Sequence, residues 1–175
     1  MKKTLVLVAF LAFLLAAWPN TALAQGEFEK VTGEAFIKAV PNDFYLEGNR
    51  IPVEKRNAVL LKTPKGARVV LALIDTTGYS SRIKQKYTGM LISEGKVSVC
   101  SISIDVGSYG FGLDTPKPPS NEGAKFMLYN QAGDEVGGCT AKKDDSIKVP
   151  RPLAVSIAKG VPAKLDLGKY TLEIK

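Results

Sequence analysis

Histidine is absent from the 175 residues. Its absence removes the commonest general base near neutral pH and every triad of nucleophile, histidine and acid, and it leaves a zinc site without a frequent ligand. Cysteine occurs only at Cys100 and Cys139. These are too far apart for the local dithiol of a redox enzyme, and no second pair completes a four-thiolate metal site. Beyond residue 24 no apolar stretch is long enough to cross a bilayer as a helix, the longest being Val69 to Ile74. The spaced acids of a calcium loop are missing too, because Asp144-Asp145 lacks the D-x-D-x-D-G progression.

The beginning of the chain carries a targeting pattern. Lys2 and Lys3 precede an apolar run, Thr4 to Trp18, and Ala22-Leu23-Ala24 forms an A-x-A-like cleavage site. The reading is a cleaved export peptide over residues 1–24 and one mature domain over 25–175, placed in a periplasm or outside the cell. The run is too short for a retained membrane anchor. Cleavage takes away two lysines and no acid, so the formal charge of +7 becomes +5 on 151 residues. That length holds a real core without metal. The charge is ordinary for solubility, with a weak pull toward anionic headgroups or polyanionic wall polymers.

Outside the cytosol an even number of cysteines reads as a disulfide, Cys100 to Cys139. Closing a loop of that length removes unfolded-state entropy worth about 4 kcal/mol in the chain-entropy model.

Strand signals dominate the mature chain. Thr32 to Val40 reads as a first strand, Phe44 to Leu46 as a second, and Asn57 to Lys62 as a third. Arg68 to Asp75 is short and rich in β-branched residues, which predicts a central strand covered on both faces. Ser98, Cys100, Ile102, Ile104 and Val106 alternate with polar residues, predicting one strand that contains Cys100. Val97 and Val99 are out of phase with it, so a bulge near Cys100 is one option. Gly107 to Leu113 alternates glycine with Tyr109, Phe111 and Leu113, a strand with one bulky face and one face open to close backbone approach. Ala124 to Tyr129, a return through Cys139, Ile147 to Val149, Leu153 to Ile157 and Tyr170 to Ile174 complete the set. Helix signals are faint, near Val53 to Ala58 and Ser80 to Lys86. The fold class expected is all-β: an immunoglobulin-like or jelly-roll-like β-sandwich, with a partly open β-barrel as runner-up and a mixed α+β domain as the bland alternative.

Chemistry is sparse. Asp43, Asp75, Glu94, Asp105, Asp114, Glu122 and Asp134 could supply a carboxylate pair, but nothing in the sequence brings two of them together. Ser81 and Lys84 have the spacing S-x-x-K without the companion motifs of a serine-lysine enzyme. Gly107, Gly110 and Gly112 do not match a nucleotide-binding fingerprint, and export makes nucleic acid an unsuitable partner. No catalytic residue, metal or cofactor is expected.

What remains is recognition. The candidate ligand-binding residues are Tyr109 and Phe111 on the glycine-rich strand and Pro116, Pro118 and Pro119 in the loop after it, since a proline-stiffened loop loses little entropy on binding. The competing assignment for Tyr109, Phe111 and Leu113 is core filling. In layout the chain resembles small exported β-sandwich domains of bacterial envelopes, a likeness of architecture that carries no activity. The expected role is a non-enzymatic binding or envelope-structural protein, engaging an envelope protein, a wall polymer or a small ligand. A carrier holding an apolar ligand between its sheets or in a barrel mouth is the alternative, and a carboxylate-based hydrolase stands behind it.

Overall fold

The computed structural model describes residues 27–117 and 120–175. The expected export segment 1–24 lies outside the described residues. Thirteen antiparallel strands form one curled sheet: β1 (Glu29–Val31), β2 (Asp43–Leu46), β3 (Asn49–Lys62), β4 (Arg68–Ile74), β5 (Gly89–Ser93), β6 (Val97–Val99), β7 (Ile102–Ile104), β8 (Gly107–Asp114), β9 (Ala124–Asn130), β10 (Glu135–Lys143), β11 (Arg151–Ser156), β12 (Ala163–Gly168) and β13 (Tyr170–Ile174). Two short helices accompany them, α1 (Glu34–Ala39) and α2 (Ser81–Lys86).

Neighbours in the sheet run β1-β3-β4-β5-β8-β9-β10-β13-β12-β11, with β2 paired to β3 and the β6–β7 hairpin joined to β13. Strand β10 turns the corner. Its length pairs with β9, and its last residues, Lys142 and Lys143, pair with Thr171 and Tyr170 of β13. Beyond that corner β13, β12 and β11 fold back, so that β11 comes alongside β3 and β4 without pairing to them. The result is a half-barrel with an open seam. The all-β class holds, in the form of the partly open barrel.

Alternation along each strand separates two cores. The concave side gathers Val59 and Leu61 of β3, Val69 and Leu71 of β4, Phe111 of β8, Phe126 and Leu128 of β9, and Leu165, Leu172 and Ile174 of β12 and β13. Phe111 and Phe126 stack there with centroids 5.6 Å apart. The convex side of β3, β4 and β5 is covered by β2 and α2, which bury Leu60, Val70, Ala72 and Met90 with Phe44, Leu46, Ile83 and Tyr87. Strand β4 is therefore dry on both faces, as its continuous apolar run requires.

Four local expectations are corrected. Residues 34–39 form α1 rather than a strand; Phe36, Ala39 and Val40 recur at helical spacing against the outer core, and Lys38 pairs with Glu34 one turn back. Val53 to Ala58 belongs to β3, where a register shift between Glu54 and Ala58 bends the strand, while the helix near Ser80 to Lys86 is present as α2. Ile147 to Val149 is a turn, with Val149 exposed. Cys100 sits in a hairpin loop and not within a strand: Val99 pairs with Ile102, leaving Cys100-Ser101 as a two-residue connection. That geometry puts Val97, Val99, Ile102 and Ile104 on one buried face and leaves Val106 exposed.

Candidate functional site

The disulfide between Cys100 and Cys139 is present, with Cα atoms 6.5 Å apart. It ties the β6–β7 loop to the middle of β10. Cys100 has φ 59°, a left-handed position where glycine is the usual choice.

The candidate binding residues that are described, Tyr109, Phe111 and Pro116, do not share one surface. Phe111 is completely buried in the concave core. Tyr109 is half-buried against the same core and donates its hydroxyl to the Asp105 carbonyl at 3.3 Å. Pro116 is half-buried in the loop beyond β8. From Tyr109 to the end of that strand is about 17 Å, so the ring and the proline loop are separate features. Pro118 and Pro119 lie outside the described residues. The glycines of the same strand serve the other face. A Cβ on Gly110 would meet the Tyr87 ring at 2.7 Å, and one on Gly112 would collide with the Lys86 carbonyl oxygen. Their absence lets the end of α2 lie directly on β8.

That junction contains a buried carboxylate network centred on Glu47, which no sequence motif announces. Glu47 and Gly48 form the two-residue loop between β2 and β3, both at positive φ, the I′ geometry that normally selects Asn-Gly. Glu47 accepts a hydrogen bond from Lys86 Nζ at 2.7 Å, another from the Tyr87 hydroxyl at 2.8 Å, and an ion pair from Arg82. Lys86 also donates to the Gly133 carbonyl at 2.6 Å and lies 4.6 Å above the Tyr129 ring. The Lys86 hydrogen bond leads in holding the Glu47 carboxyl below its ordinary range, against the opposing effect of burial. Burial, then the hydrogen bond to Glu47, pushes the Tyr87 phenol up. The signal in the sequence was a glutamate where a tight turn wants asparagine. Every group in the network has a partner within it, so it clamps the β2–β3 and β9–β10 loops to α2 and presents no free functional group.

The acids weighed for hydrolysis are dispersed and separately held. Asp43 pairs with Arg50 at 2.6 Å, Glu94 grips Arg68 through two oxygens, Asp134 accepts from Asn130 Nδ2 at 3.0 Å, and Asp105 faces Lys96 at 3.4 Å. The carboxyls whose pKa is displaced, Glu47, Asp75, Glu94, Asp144 and Glu173, are all displaced downward, by hydrogen bonds in each case. A general acid needs the opposite displacement. Ser81 and Lys84 are both exposed on α2. Among the described residues no three His, Cys, Asp or Glu side chains gather as a metal site, and no helix is long and apolar enough to cross a membrane.

A recess lies at the end of the half-barrel where the proline-bearing loop begins. It has a volume of about 510 Å³ and is lined by Leu113 and Thr115 from β8 and its loop, Leu167 and Tyr170 from β12 and β13, Pro150 and Pro152 around the start of β11, Thr88, and the cations Lys143 and Lys169. At this end Leu113 and Tyr170 are half-buried against the concave core, and Leu167 is buried next to them. Lys143 braces the loop by donating to Asn121 Oδ1 at 2.9 Å. Lys169 occupies the two-residue turn between β12 and β13, after Gly168 at φ 65°. A smaller recess of about 160 Å³ marks the opposite end, around Phe28, Ile157 and Ile174.

No family model, no curated protein and no solved structure matches this chain.

Proposed function

We propose that the chain is an exported, non-enzymatic recognition protein whose binding surface is the open mouth of the half-barrel. The observation that carries this reading is the contrast between interior and mouth. A carrier with an enclosed cavity would need the dry faces of β4 and β8 to stand apart, whereas Val69, Leu71 and Phe111 belong to one packed cluster. At the mouth the concave core meets open space, and there apolar walls and positive side chains line one recess of ligand size. The disulfide and the targeting pattern at residues 1–24 support placement in an oxidising compartment.

A photo-crosslinking residue placed at Thr115 in the full chain, expressed in its host, tests the surface. The expected result is a discrete adduct from Thr115 and none from the same probe at Ser156 on β11. Equal labelling at both positions refutes the mouth as the binding surface. Sequencing of the secreted product is expected to begin at Gln25. Turnover of glycosidic, ester or peptide substrates by the purified mature chain, abolished by replacing a single carboxylate, would overturn the non-enzymatic assignment.

A further inference from the structure

The geometry points to a specific ligand class for the mouth: a monomeric, single-chain amphiphile with an anionic headgroup, its chain on Leu113, Leu167 and Tyr170 and its headgroup at Lys169 and Lys143. This rests on the mouth being the binding surface. The recess has two cations and no acidic side chain in its lining. Among the described residues Lys169 makes no ion pair, and its backbone is fixed in the tight turn Gly168-Lys169, where its carbonyl also accepts the Asp144 amide at 2.8 Å. Lys169 is thus an exposed cation on a fixed backbone at the rim, without a counter-charge among the described residues. Lys143 is partly engaged, with Asp145 at 3.8 Å and Asn121 at 2.9 Å, and contributes field rather than a dedicated contact. The walls below the rim are leucine, proline and the body of a tyrosine ring, which offer an alkyl chain contact but supply few hydrogen-bond partners to a sugar or a peptide backbone. The volume suits one small ligand and not a patch of bilayer.

Amide shifts in the nitrogen-proton NMR spectrum of the mature chain, residues 25–175, provide the test. The titrants are decanoate, decyl maltoside and acetate, each below any micelle threshold, and vesicles of phosphatidylglycerol. Saturable decanoate binding is expected, with shifts confined to residues 113–115, Arg151, Leu153 and residues 167–170. It should weaken about fivefold in Lys169→Gln, the effect of one rim-exposed charge, and weaken with added salt. Lys164→Gln, on the outer face of β12, should leave binding unchanged. Both substitutions are at exposed positions, so folding is not at issue. Equal affinity for decyl maltoside removes the headgroup assignment, and equal affinity for acetate removes the chain. Binding to vesicles without binding to monomeric decanoate replaces the ligand with a membrane surface. If decanoate fails while the Thr115 crosslinker still yields its adduct, the ligand class falls and the mouth remains; if both fail, the mouth falls with it.

Discussion

Replacing Glu47 by alanine should cost about 3 kcal/mol, and changing Tyr87 to phenylalanine in addition should cost nothing further. The side chain of Glu47 is 8% exposed and that of Lys86 22%, whereas Arg82 is 67% exposed. Breaking a buried ion pair typically costs about 3–5 kcal/mol, chiefly because the surviving partner is stranded. Here the lower end applies, since Lys86 retains the Gly133 carbonyl and some water, and the well-solvated Arg82 adds little. The group left worst off is the Tyr87 hydroxyl, whose residue is 2% exposed. In the native background Tyr87→Phe removes a hydrogen bond to a charged acceptor, about 2 kcal/mol. In the Glu47→Ala background it removes an orphaned donor and should cost nothing. Urea unfolding followed by circular dichroism gives the four free energies, with a coupling of about 2 kcal/mol expected. Equal costs for Tyr87→Phe in both backgrounds, within about 0.5 kcal/mol, would refute the account of Glu47 as the acceptor that satisfies it. The glutamate adopts left-handed backbone at φ 49°, which ordinarily costs about 1–2 kcal/mol outside glycine. The clamp more than offsets that strain, which explains why the turn departs from Asn-Gly.

Four other outcomes follow from the same structure. The Glu47 carboxyl titrates below its ordinary 4.5 in the folded state, so its contribution is complete above that pH and drains away as pH falls below it; the acid limb of a stability profile should flatten in Glu47→Gln. The Tyr87 phenol is raised above its ordinary 10.0, so its contribution is complete below pH 10 and fades at higher pH, a limb that Tyr87→Phe should remove. Reducing the Cys100–Cys139 bridge, which spans 39 residues, should lower stability by about 4 kcal/mol and Tm by roughly 10 °C in a calorimetric scan; superimposable scans with and without reductant would contradict it. Gly112→Ala should cost about 1–3 kcal/mol because its Cβ meets the Lys86 carbonyl, a backbone atom that cannot rotate aside, whereas Gly78→Ala, in open space, should be within about 0.5 kcal/mol of native by thermal melting.

Where side chains alone set the period, the strands were legible. Leu172 and Ile174 dock β13, and the continuous run Val69 to Ala72 marks β4 as covered twice. The alternation Tyr-Gly-Phe-Gly-Leu is legible by its shape, and the structure uses both of its faces, Phe111 inward and Gly110 and Gly112 under α2. What escaped depended on contacts between distant residues. Helix α1 is six residues long, too short for its period to declare itself beside the β-branched and aromatic residues around it. The β6–β7 hairpin was masked because Cys100-Ser101 carries none of the glycine or asparagine that announces such a turn. In both two-residue loops with a non-glycine at positive φ, the side chain is held from elsewhere, Glu47 by α2 and Cys100 by β10. Long-range tethering substitutes for local propensity there, and no local window contains it. The mouth was half legible: the loop after β8 was singled out, but its opposite wall comes from residues 150–170, which only the curl of the sheet brings near.

Strand β13 follows every other strand in the chain yet sits between β10 and β12 in the sheet, and its end exchanges backbone hydrogen bonds with Ser98. Until those residues leave the ribosome, β12 and β11 have no route onto the rest of the sheet and the β6–β7 hairpin has no ladder to join. The seven strands from β1 to β10 that share the first ladder would wait with their concave side wet. Closure of the half-barrel thus waits on residues 170–174, and a nascent chain halted before them remains an incomplete, adhesive intermediate.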